Sequence, residues 1–225
     1  MTDPTVVLVH GAWHGGWCWS DVVPLLDKAG LAAVSVDLPS SGGTGGLTED
    51  AALVRATVES QDGPTVVVGH SYGGIVITEA TAGLTSVQHL VYVCAFMIDA
   101  GASLVSTLAG DLPPWITVDE AAGVSRVNDP VRAFYADVAP DVAAACSARL
   151  TSQTLSSFAT PVGAAGWREH PSTYLACTED NAIPYAAQQA MSANAGTVET
   201  ITSSHSPFLS QPDAVADLVV AATRG

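Results

Sequence analysis

The most informative stretch of this chain is Thr65-Val66-Val67-Val68-Gly69-His70-Ser71-Tyr72-Gly73-Gly74. Its β-branched, apolar beginning predicts a buried strand over residues 65–68, and a helix is predicted directly afterwards, over 72–82. The residues between them match the GxSxG pattern of a sharp strand-to-helix turn that lifts a serine above a sheet. A chance match in a glycine-rich chain is the alternative, but strand, turn and helix follow in the required order. Ser71 is therefore a candidate nucleophile.

Further strands and helices alternate on both sides of this stretch. Continuous apolar runs are typical of strands that are buried on both faces of a parallel sheet. Helical segments follow most of these runs, and Ser20 and Thr48 are predicted to cap two of them. The strands are predicted at residues 5–9, 32–36, 65–68, 90–93, 173–177 and 197–201, and the helices at 20–29, 49–60, 72–82, 184–193 and 212–222. We therefore predict an α/β fold with a mostly parallel, doubly wound sheet.

The segment from about residue 96 to residue 167 interrupts this alternation. Prolines at positions 113, 114, 130, 140 and 161 leave room only for short helices, such as 131–136 and 142–150. We predict that this segment is a small helical cap inserted into a single domain of residues 1–225. The aromatic residues in or near the cap, some of which we expect to line a pocket, are Phe96, Trp115, Phe134, Tyr135, Phe158 and Trp167.

The composition excludes several classes of partner. Apolar residues make up 48% of the chain and charged residues 13%, which favours a large buried core over disorder. Seven basic residues against 22 acidic ones give a formal net charge of −15. Such a surface repels phosphate backbones and anionic lipid headgroups, so we expect neither nucleic acid nor a membrane surface as a partner.

The cysteines and the N-terminus favour a cytoplasmic enzyme. The four cysteines are scattered without CxxC spacing, which is more typical of free buried thiols than of a disulfide framework or a zinc site. Met1-Thr2-Asp3-Pro4 lacks the basic and apolar regions of a secretory signal, and the chain has no apolar stretch of about 18 residues. We expect no metal and no other cofactor. The oligomeric state is left open, with a homodimer as one alternative.

A serine nucleophile needs a base and an acid that orients the base. Of the six histidines, only His205 lies in a loop between the last predicted strand and the last predicted helix, at the sheet edge where Ser71 is expected. Asp180 follows the predicted strand 173–177 at the same edge, and the order Ser71, Asp180, His205 accompanies such serine turns in this type of sheet. Glu179 and Asp99 remain rival acids. The alternatives are a surface histidine at 205 and a helix-capping aspartate at 180.

Two backbone N–H groups are candidates for an oxyanion hole. One belongs to Tyr72, the residue after the nucleophile. The other is expected in the loop after the first strand, His10-Gly11-Ala12, where a glycine lets backbone approach a substrate. We assign it to Ala12.

The sequence resembles the α/β-hydrolase superfamily, and within it the branch of plant methylesterases, hydroxynitrile lyases and their bacterial esterase relatives. The resemblance is carried by residues 7–19, 36–39, 69–74, 179–184 and 204–212, which include His10-Gly11-Ala12-Trp13-His14-Gly15-Gly16 and Ser204-His205-Ser206-Pro207-Phe208. It implies the α/β-hydrolase fold and the roles of nucleophile, acid and base for Ser71, Asp180 and His205. These roles agree with the assignment from the residues.

Within that branch, the sequence departs from the lyases at three positions. The resemblance implies that a lyase has Thr in the oxyanion loop, Glu before the nucleophile and Lys after the catalytic histidine. This chain has Ala12, His70 and Ser206 there. We therefore predict a serine carboxylic-ester hydrolase that acts on small, largely apolar esters. A small-molecule receptor and a lyase-like enzyme that cleaves carbon–carbon bonds are the alternatives.

Overall fold

The computed structural model describes residues 3–224, which form two β-sheets and the helices around them. The strands are β1 (Thr5–Val9), β2 (Ala33–Ser35), β3 (Thr65–His70), β4 (Val87–Val93), β5 (Ile116–Asp119), β6 (Val124–Val127), β7 (Gln153–Thr154), β8 (Ser172–Cys177) and β9 (Thr197–Ile201). The helices are α1 (Val23–Lys28), α2 (Leu47–Glu59), α3 (Gly73–Ala80), α4 (Leu104–Thr107), α5 (Pro130–Phe134), α6 (Pro140–Ser147), α7 (Leu155–Ala159), α8 (Tyr185–Ser192), α9 (Pro207–Ser210) and α10 (Pro212–Ala222). Short 3₁₀ helices cover Gly16–Trp19 and Gly166–Arg168.

The larger sheet has six strands in the order β2-β1-β3-β4-β8-β9, and all neighbouring pairs are parallel. β1 and β3 are central and buried on both faces because alternate valine and leucine side chains enter two separate apolar clusters. Val54 of α2 and Ile75 of α3 cover one face, while Leu26 of α1 and Val219 of α10 cover the other. The predicted doubly wound α/β sheet is confirmed.

Two predicted helix starts are wrong. α2 begins at Leu47, and its N-cap is Gly46, whose N–H donates to Glu49 Oε2 at 2.8 Å, so Thr48 lies inside the helix. Ser20 ends the 3₁₀ helix Gly16–Trp19 and does not cap α1, which begins only at Val23. At α2 the hydrogen bond between Gly46 and Glu49 takes the place of the expected side-chain cap, whereas Val22, the N-cap of α1, has no side-chain cap.

The segment between β4 and β8 contains the expected short helices and also a small sheet that the sequence analysis did not predict. β5 and β6 form an antiparallel hairpin, and β7 pairs with β6. Gly123 has φ +67° in the tight connection of this hairpin, a conformation that favours glycine. An isolated bridge between Ser41 and Gln153 joins this cap to the loop after β2.

The described residues also bear on the cysteines and on membrane insertion. All four cysteines are buried and unpaired, in agreement with the predicted free thiols. Within residues 3–224, no helix has both the length and the apolar composition that crossing a bilayer would require.

The turn between β3 and α3 is packed so tightly that a side chain would not fit at either of its two last glycines, Gly73 and Gly74. Ser71 has φ +53°, in the left-handed region that costs energy for a residue with a side chain. A Cβ added to Gly73 would lie 2.6 Å from the carbonyl oxygen of His10, and one added to Gly74 would lie 2.6 Å from that of Phe96. Only glycine fits at these two positions, which is why α3 starts directly against the end of β1.

We predict that Gly73→Ala lowers the free energy of unfolding by about 1–3 kcal/mol, because an added methyl group must displace backbone. Gly163→Ala is the matched control, since its added Cβ would meet only the movable carboxylate of Glu79, at 3.2 Å. Urea unfolding of the two variants measures the difference. Equal losses for both would contradict the tight contact at the turn.

Candidate active site

A predicted catalytic residue follows each of three parallel strands. Ser71 comes directly after β3, Asp180 lies in the loop after β8, and His205 lies in the loop after β9. Parallel strands place their carboxyl ends on one edge of the sheet, where α/β proteins build their sites. The structure therefore brings together residues that are far apart in the sequence.

Asp180 and His205 form a direct, buried pair. His205 Nδ1 lies 2.6 Å from Asp180 Oδ2, and both side chains are almost fully buried. The other carboxylate oxygen accepts hydrogen bonds from the N–H groups of Ala182 and Ile183, at 2.7 and 2.9 Å. Because an ionised carboxylate can only accept, the proton of this pair lies on Nδ1 of the imidazole. In neutral His205, Nε2 then carries a lone pair, as a general base requires.

Gln188 fixes the carboxylate from the other side, and the sequence analysis missed it. Its Nε2 donates to Asp180 Oδ2 at 3.0 Å and to the carbonyl of Ile183 at 2.7 Å, while its Oε1 accepts from the N–H of Cys177 at 3.0 Å. Gln188 is fully buried although it belongs to the mostly exposed helix α8. A polar residue on the buried face of an amphipathic helix is the one sequence signal that could have found it.

Ser71 and His205 line the same cavity of about 40 Å³ between the sheet and the cap. Ser71 is 8% exposed, so its hydroxyl group is reached only through this cavity. Among the described residues, no hydrogen bond joins Ser71 Oγ to His205. The hydrogen bond between a nucleophile and its base often forms fully only when a substrate binds. Its absence here is therefore compatible with Ser71 as the nucleophile and His205 as the base.

The two predicted oxyanion donors face the same space. Ala12 and Tyr72 both line the cavity with Ser71. Among residues 3–224, neither of their N–H groups donates to another protein group, whereas the next N–H along the oxyanion loop, that of Trp13, donates to Gln153 Oε1 at 3.2 Å. Two buried donors without a protein acceptor are therefore available to a developing negative charge.

Two buried histidines support the oxyanion loop. His14 Nδ1 donates to the carbonyl of Ala12 at 2.8 Å, and His10 Nδ1 donates to that of Gly11 at 2.7 Å. The second nitrogen of His10 accepts from the N–H of Leu38 at 3.0 Å, which fixes a neutral tautomer. Burial lowers the pKa of His10 to about 4 and the pKa of His14 to about 3. The sequence analysis quoted both residues in the segment after the first strand but gave neither of them a role in supporting the oxyanion loop.

The rival residues lie away from this cavity. Glu179 is exposed, and Asp99 pairs with Arg168 at the surface. His89 Nε2 contacts Thr173 Oγ1 at 2.9 Å, away from the carboxyl edge of the sheet. The geometry therefore favours Asp180 as the acid.

Tyr72 takes part in a second buried network that the sequence analysis did not find. Its hydroxyl group donates to Asp50 Oδ2 at 2.7 Å, and the N–H of Ser40 donates to the other oxygen at 2.9 Å. Burial raises the pKa of Asp50, although these hydrogen bonds oppose the shift. Ser40 in turn accepts from Gln153 Nε2 of the cap at 2.6 Å. The network thus connects α2, the serine turn and the cap.

Aromatic and aliphatic side chains form the cavity wall. Besides Tyr72, the aromatic residues that line it are Trp13, Phe96, Trp115, Phe134 and Phe158. Two other aromatic candidates do not line it, because Tyr135 donates from its hydroxyl group to His14 Nε2 at 2.7 Å and Trp167 donates to the carbonyl of Ile98 at 2.9 Å. Larger depressions, such as one of about 550 Å³ beside β9 and α10, contain none of the catalytic candidates. The small cavity is the one that the catalytic candidates line.

In the described part of the chain, one group of side chains has the spacing of a metal site. The candidate ligand atoms of His70, Cys94 and His205 lie within 4.8 Å of one another. His70 Nε2 and Cys94 Sγ already donate to the carbonyl of His205, at 2.8 and 3.4 Å. Because His205 is also held by Asp180, these hydrogen bonds account for the cluster without a metal ligand role.

Comparison with known proteins places this chain in a family. The profile of the Alpha/beta hydrolase family matches residues 6–218. Alpha/beta hydrolase nvfD of Aspergillus novofumigatus is 33% identical over 240 aligned positions, which cover 97% of this chain and 96% of that protein. The Carbendazim hydrolyzing esterase of a Nocardioides species is 32% identical over 177 positions, covering 71% and 73%. The crystal structure of a methylesterase protein MES16 from Arabidopsis has a TM-score of 0.81 and 22% identity, covering 98% of this chain and 99% of that one.

This chain belongs to the alpha/beta hydrolase family. The predicted resemblance to the branch of plant methylesterases and bacterial esterases is confirmed by relatives from both groups. The prediction of a carboxylesterase-type hydrolase is confirmed as well.

We predict that the protein loses stability as the pH falls below about 6.5, because buried neutral histidines resist protonation more than unfolded ones do. With the pKa of His10 near 4 and that of His14 near 3, the unfolded chain binds their protons first. As the pH falls from about 6.5 to about 4, each of these histidines lowers the free energy of unfolding by about 1.4 kcal/mol for every pH unit. Urea unfolding at pH 7, 6 and 5 measures the slope, and His14→Gln should reduce it. Equal stability at pH 7 and pH 5 would contradict buried neutral histidines.

Proposed function

We propose that the protein hydrolyses carboxylic esters with Ser71 as the nucleophile, His205 as the general base and Asp180 as the residue that orients His205. The observation that carries this proposal is the buried 2.6 Å contact between Asp180 Oδ2 and His205 Nδ1, which leaves Nε2 available as the base. His205 lines the same cavity as Ser71. Esterase relatives support an ester substrate.

The reaction proceeds through an acyl-enzyme. Ser71 Oγ attacks the ester carbonyl while His205 Nε2 takes its proton, and the imidazolium then protonates the departing alcohol. The N–H groups of Ala12 and Tyr72 stabilise the oxyanion of the tetrahedral intermediate. Water, deprotonated by His205, attacks the acyl-enzyme and releases the acid and Ser71. No step requires a cofactor.

The cavity favours small, largely apolar esters, such as methyl esters or esters of short acids. Its walls are aromatic and aliphatic, and no lysine or arginine lines it among the described residues. A volume of about 40 Å³ accommodates a compact group beside Ser71 and excludes a long chain unless the cap moves. Two relatives are named as a carbendazim hydrolyzing esterase and a pFDCC methylesterase, which supports an ester as the substrate.

Among residues 3–224, we find no structural feature that favours either alternative function. A lyase would need a charged group after the catalytic histidine, whereas Ser206 is buried and uncharged. A receptor has no use for an oriented His205 or for two backbone donors without acceptors.

We also propose that residues 1–225 act as one domain with the cap at 96–167. We propose in addition that the enzyme is cytoplasmic, since four unpaired buried thiols suit a reducing compartment. The oligomeric state stays open, with a homodimer as one alternative.

We predict that Ser71→Ala lowers turnover of a short chromogenic ester by about 10⁴-fold, because the nucleophile is lost. A fluorophosphonate probe should label the wild-type protein at Ser71 and leave the variant unlabelled. Ser147→Ala is the matched control, since its hydroxyl group bonds only within helix α6, to the carbonyl of Ala143. A Ser71→Ala enzyme that keeps a tenth of the wild-type rate would eliminate this mechanism.

We also predict that kcat/KM falls steeply once the acyl chain exceeds about eight carbons, because the enclosed cavity disfavours long chains. Trp115→Ala and Phe158→Ala should relieve this loss by widening the wall. Trp167→Ala is the control, because it removes a cap aromatic that does not line the cavity. If long-chain esters react as fast as acetate or butyrate, the cavity does not limit the substrate.

A further inference from the structure

The cap reaches the loop of His205 through one carboxylate. Asp137 Oδ2 accepts hydrogen bonds from Ser203 Oγ at 2.8 Å and from the N–H of Ser204 at 3.0 Å, and Ser204 Oγ donates to its Oδ1. Ser204 Oγ also contacts the carbonyl of Phe134 at 3.2 Å. Partial burial alone would raise the pKa of Asp137, but the hydrogen bonds from Ser204 and Ser203 lower it, so the carboxylate stays ionised.

The loop that receives these bonds is held from several sides. His205 is bound by Asp180 at its ring, and its carbonyl accepts from His70 Nε2 at 2.8 Å. Both of those partners belong to the sheet and its loops. Asp137 is carried by the cap, and its bonds fix the two residues that precede His205 in the chain.

The same cap segment also reaches the oxyanion loop. The hydroxyl group of Tyr135 donates to His14 Nε2 at 2.7 Å, and His14 Nδ1 donates to the carbonyl of Ala12 at 2.8 Å. Between the two polar contacts, the ring of Phe134 lies 5.8 Å from that of Trp13 and 5.5 Å from that of His205, centre to centre. Residues 134–137 therefore touch both halves of the candidate active site.

We propose that Asp137 is a positioning residue for His205, and that residues 134–137 of the cap align the base and the oxyanion loop together. The inference rests on the proposed ester hydrolysis. Asp137 never touches the substrate in this scheme. It acts through Ser203 and Ser204, which hold the backbone of His205 in register with Asp180 and Ser71.

The physical reason is that proton transfer tolerates little misplacement. A shift of about 1 Å in a catalytic group can cost about 100-fold in rate. Without Asp137, the loop before His205 keeps its bonds to the core and the contact of Ser204 Oγ with the carbonyl of Phe134, but it loses its bonds to the Asp137 carboxylate. Substrate affinity depends mainly on the apolar wall, so the loss should fall on kcat.

The test compares Asp137→Asn with Asp141→Asn. Both variants remove one negative charge from the cap, but Asp141 is exposed on α6 and makes no contact with the His205 loop among the hydrogen bonds of the described residues. We expect Asp137→Asn to lower kcat for a short chromogenic ester by about 10–100-fold with KM changed less than threefold. Asp141→Asn should keep the wild-type kcat. Thermal unfolding is measured in parallel to show that both variants are folded.

A double-mutant cycle separates positioning from a general loss of structure. If Asp137 acts through Ser204, then Ser204→Ala with Asp137→Asn should be no slower than the slower single variant. Multiplied losses in kcat would overturn the proposal, because independent effects multiply. A kcat for Asp137→Asn within twofold of the Asp141→Asn value would overturn it as well.

A substrate-free measurement keeps this inference distinct from the proposed function. The proton on His205 Nδ1, shared with Asp180, should give a downfield nuclear magnetic resonance signal in the wild-type protein and in Asp141→Asn. In Asp137→Asn this signal should broaden or disappear, because the ring is less firmly held. An unchanged signal overturns the positioning role even if no ester is hydrolysed. A wild-type protein that shows the signal but hydrolyses no ester instead refutes the proposed function.

Discussion

The backbone of α3 lies directly against the end of β1, and the geometry of the site depends on this contact. It exists because Gly73 has no side chain to keep the carbonyl of His10 away. His10 begins the loop that carries Ala12, and β1 pairs with β3 in register up to Val9 and Gly69. The contact therefore fixes the distance between the oxyanion loop and the turn that carries Ser71. The left-handed backbone of Ser71 is a strain that the surrounding packing holds in place.

The site combines few charges with many oriented dipoles. Burial keeps His10, His14 and His70 neutral by lowering the pKa of each, so their rings serve as hydrogen-bonding supports. Asp180 is the buried carboxylate next to His205, the proposed base, and it accepts hydrogen bonds from backbone N–H groups and from Gln188. In such a low-dielectric site, aligned N–H groups stabilise a developing oxyanion more than water would, and they need no reorganisation.

Polar contacts tie the cap to the sheet at both sides of the cavity. Gln153 connects Trp13 and Ser40 on the side of the oxyanion loop, and Asp137 bonds to Ser204 on the side of His205. Aromatic rings fill the space between them. An unpaired buried polar group costs free energy, so these bonds favour a single position of the cap on the sheet over many alternative positions. The cap is thus part of the candidate site and of the wall of its cavity.

The sequence alone determined the sheet, the serine turn and the loops that carry Ser71, Asp180 and His205. These features depend on local signals: apolar runs, glycines beside a serine, and the rule that parallel strands end at one edge. Only the tertiary structure decided three polar contacts: that of Gln188 with Asp180, that of Tyr135 with His14 and that of Asp137 with Ser204. Each joins segments whose meeting depends on how helices and cap pack, and a single polar side chain carries no local signal of its distant partner. The β5–β6 hairpin was missed for a different reason. The proline spacing favoured short helices in this segment, and the sequence has no clear pattern that indicates pairing between these two strands.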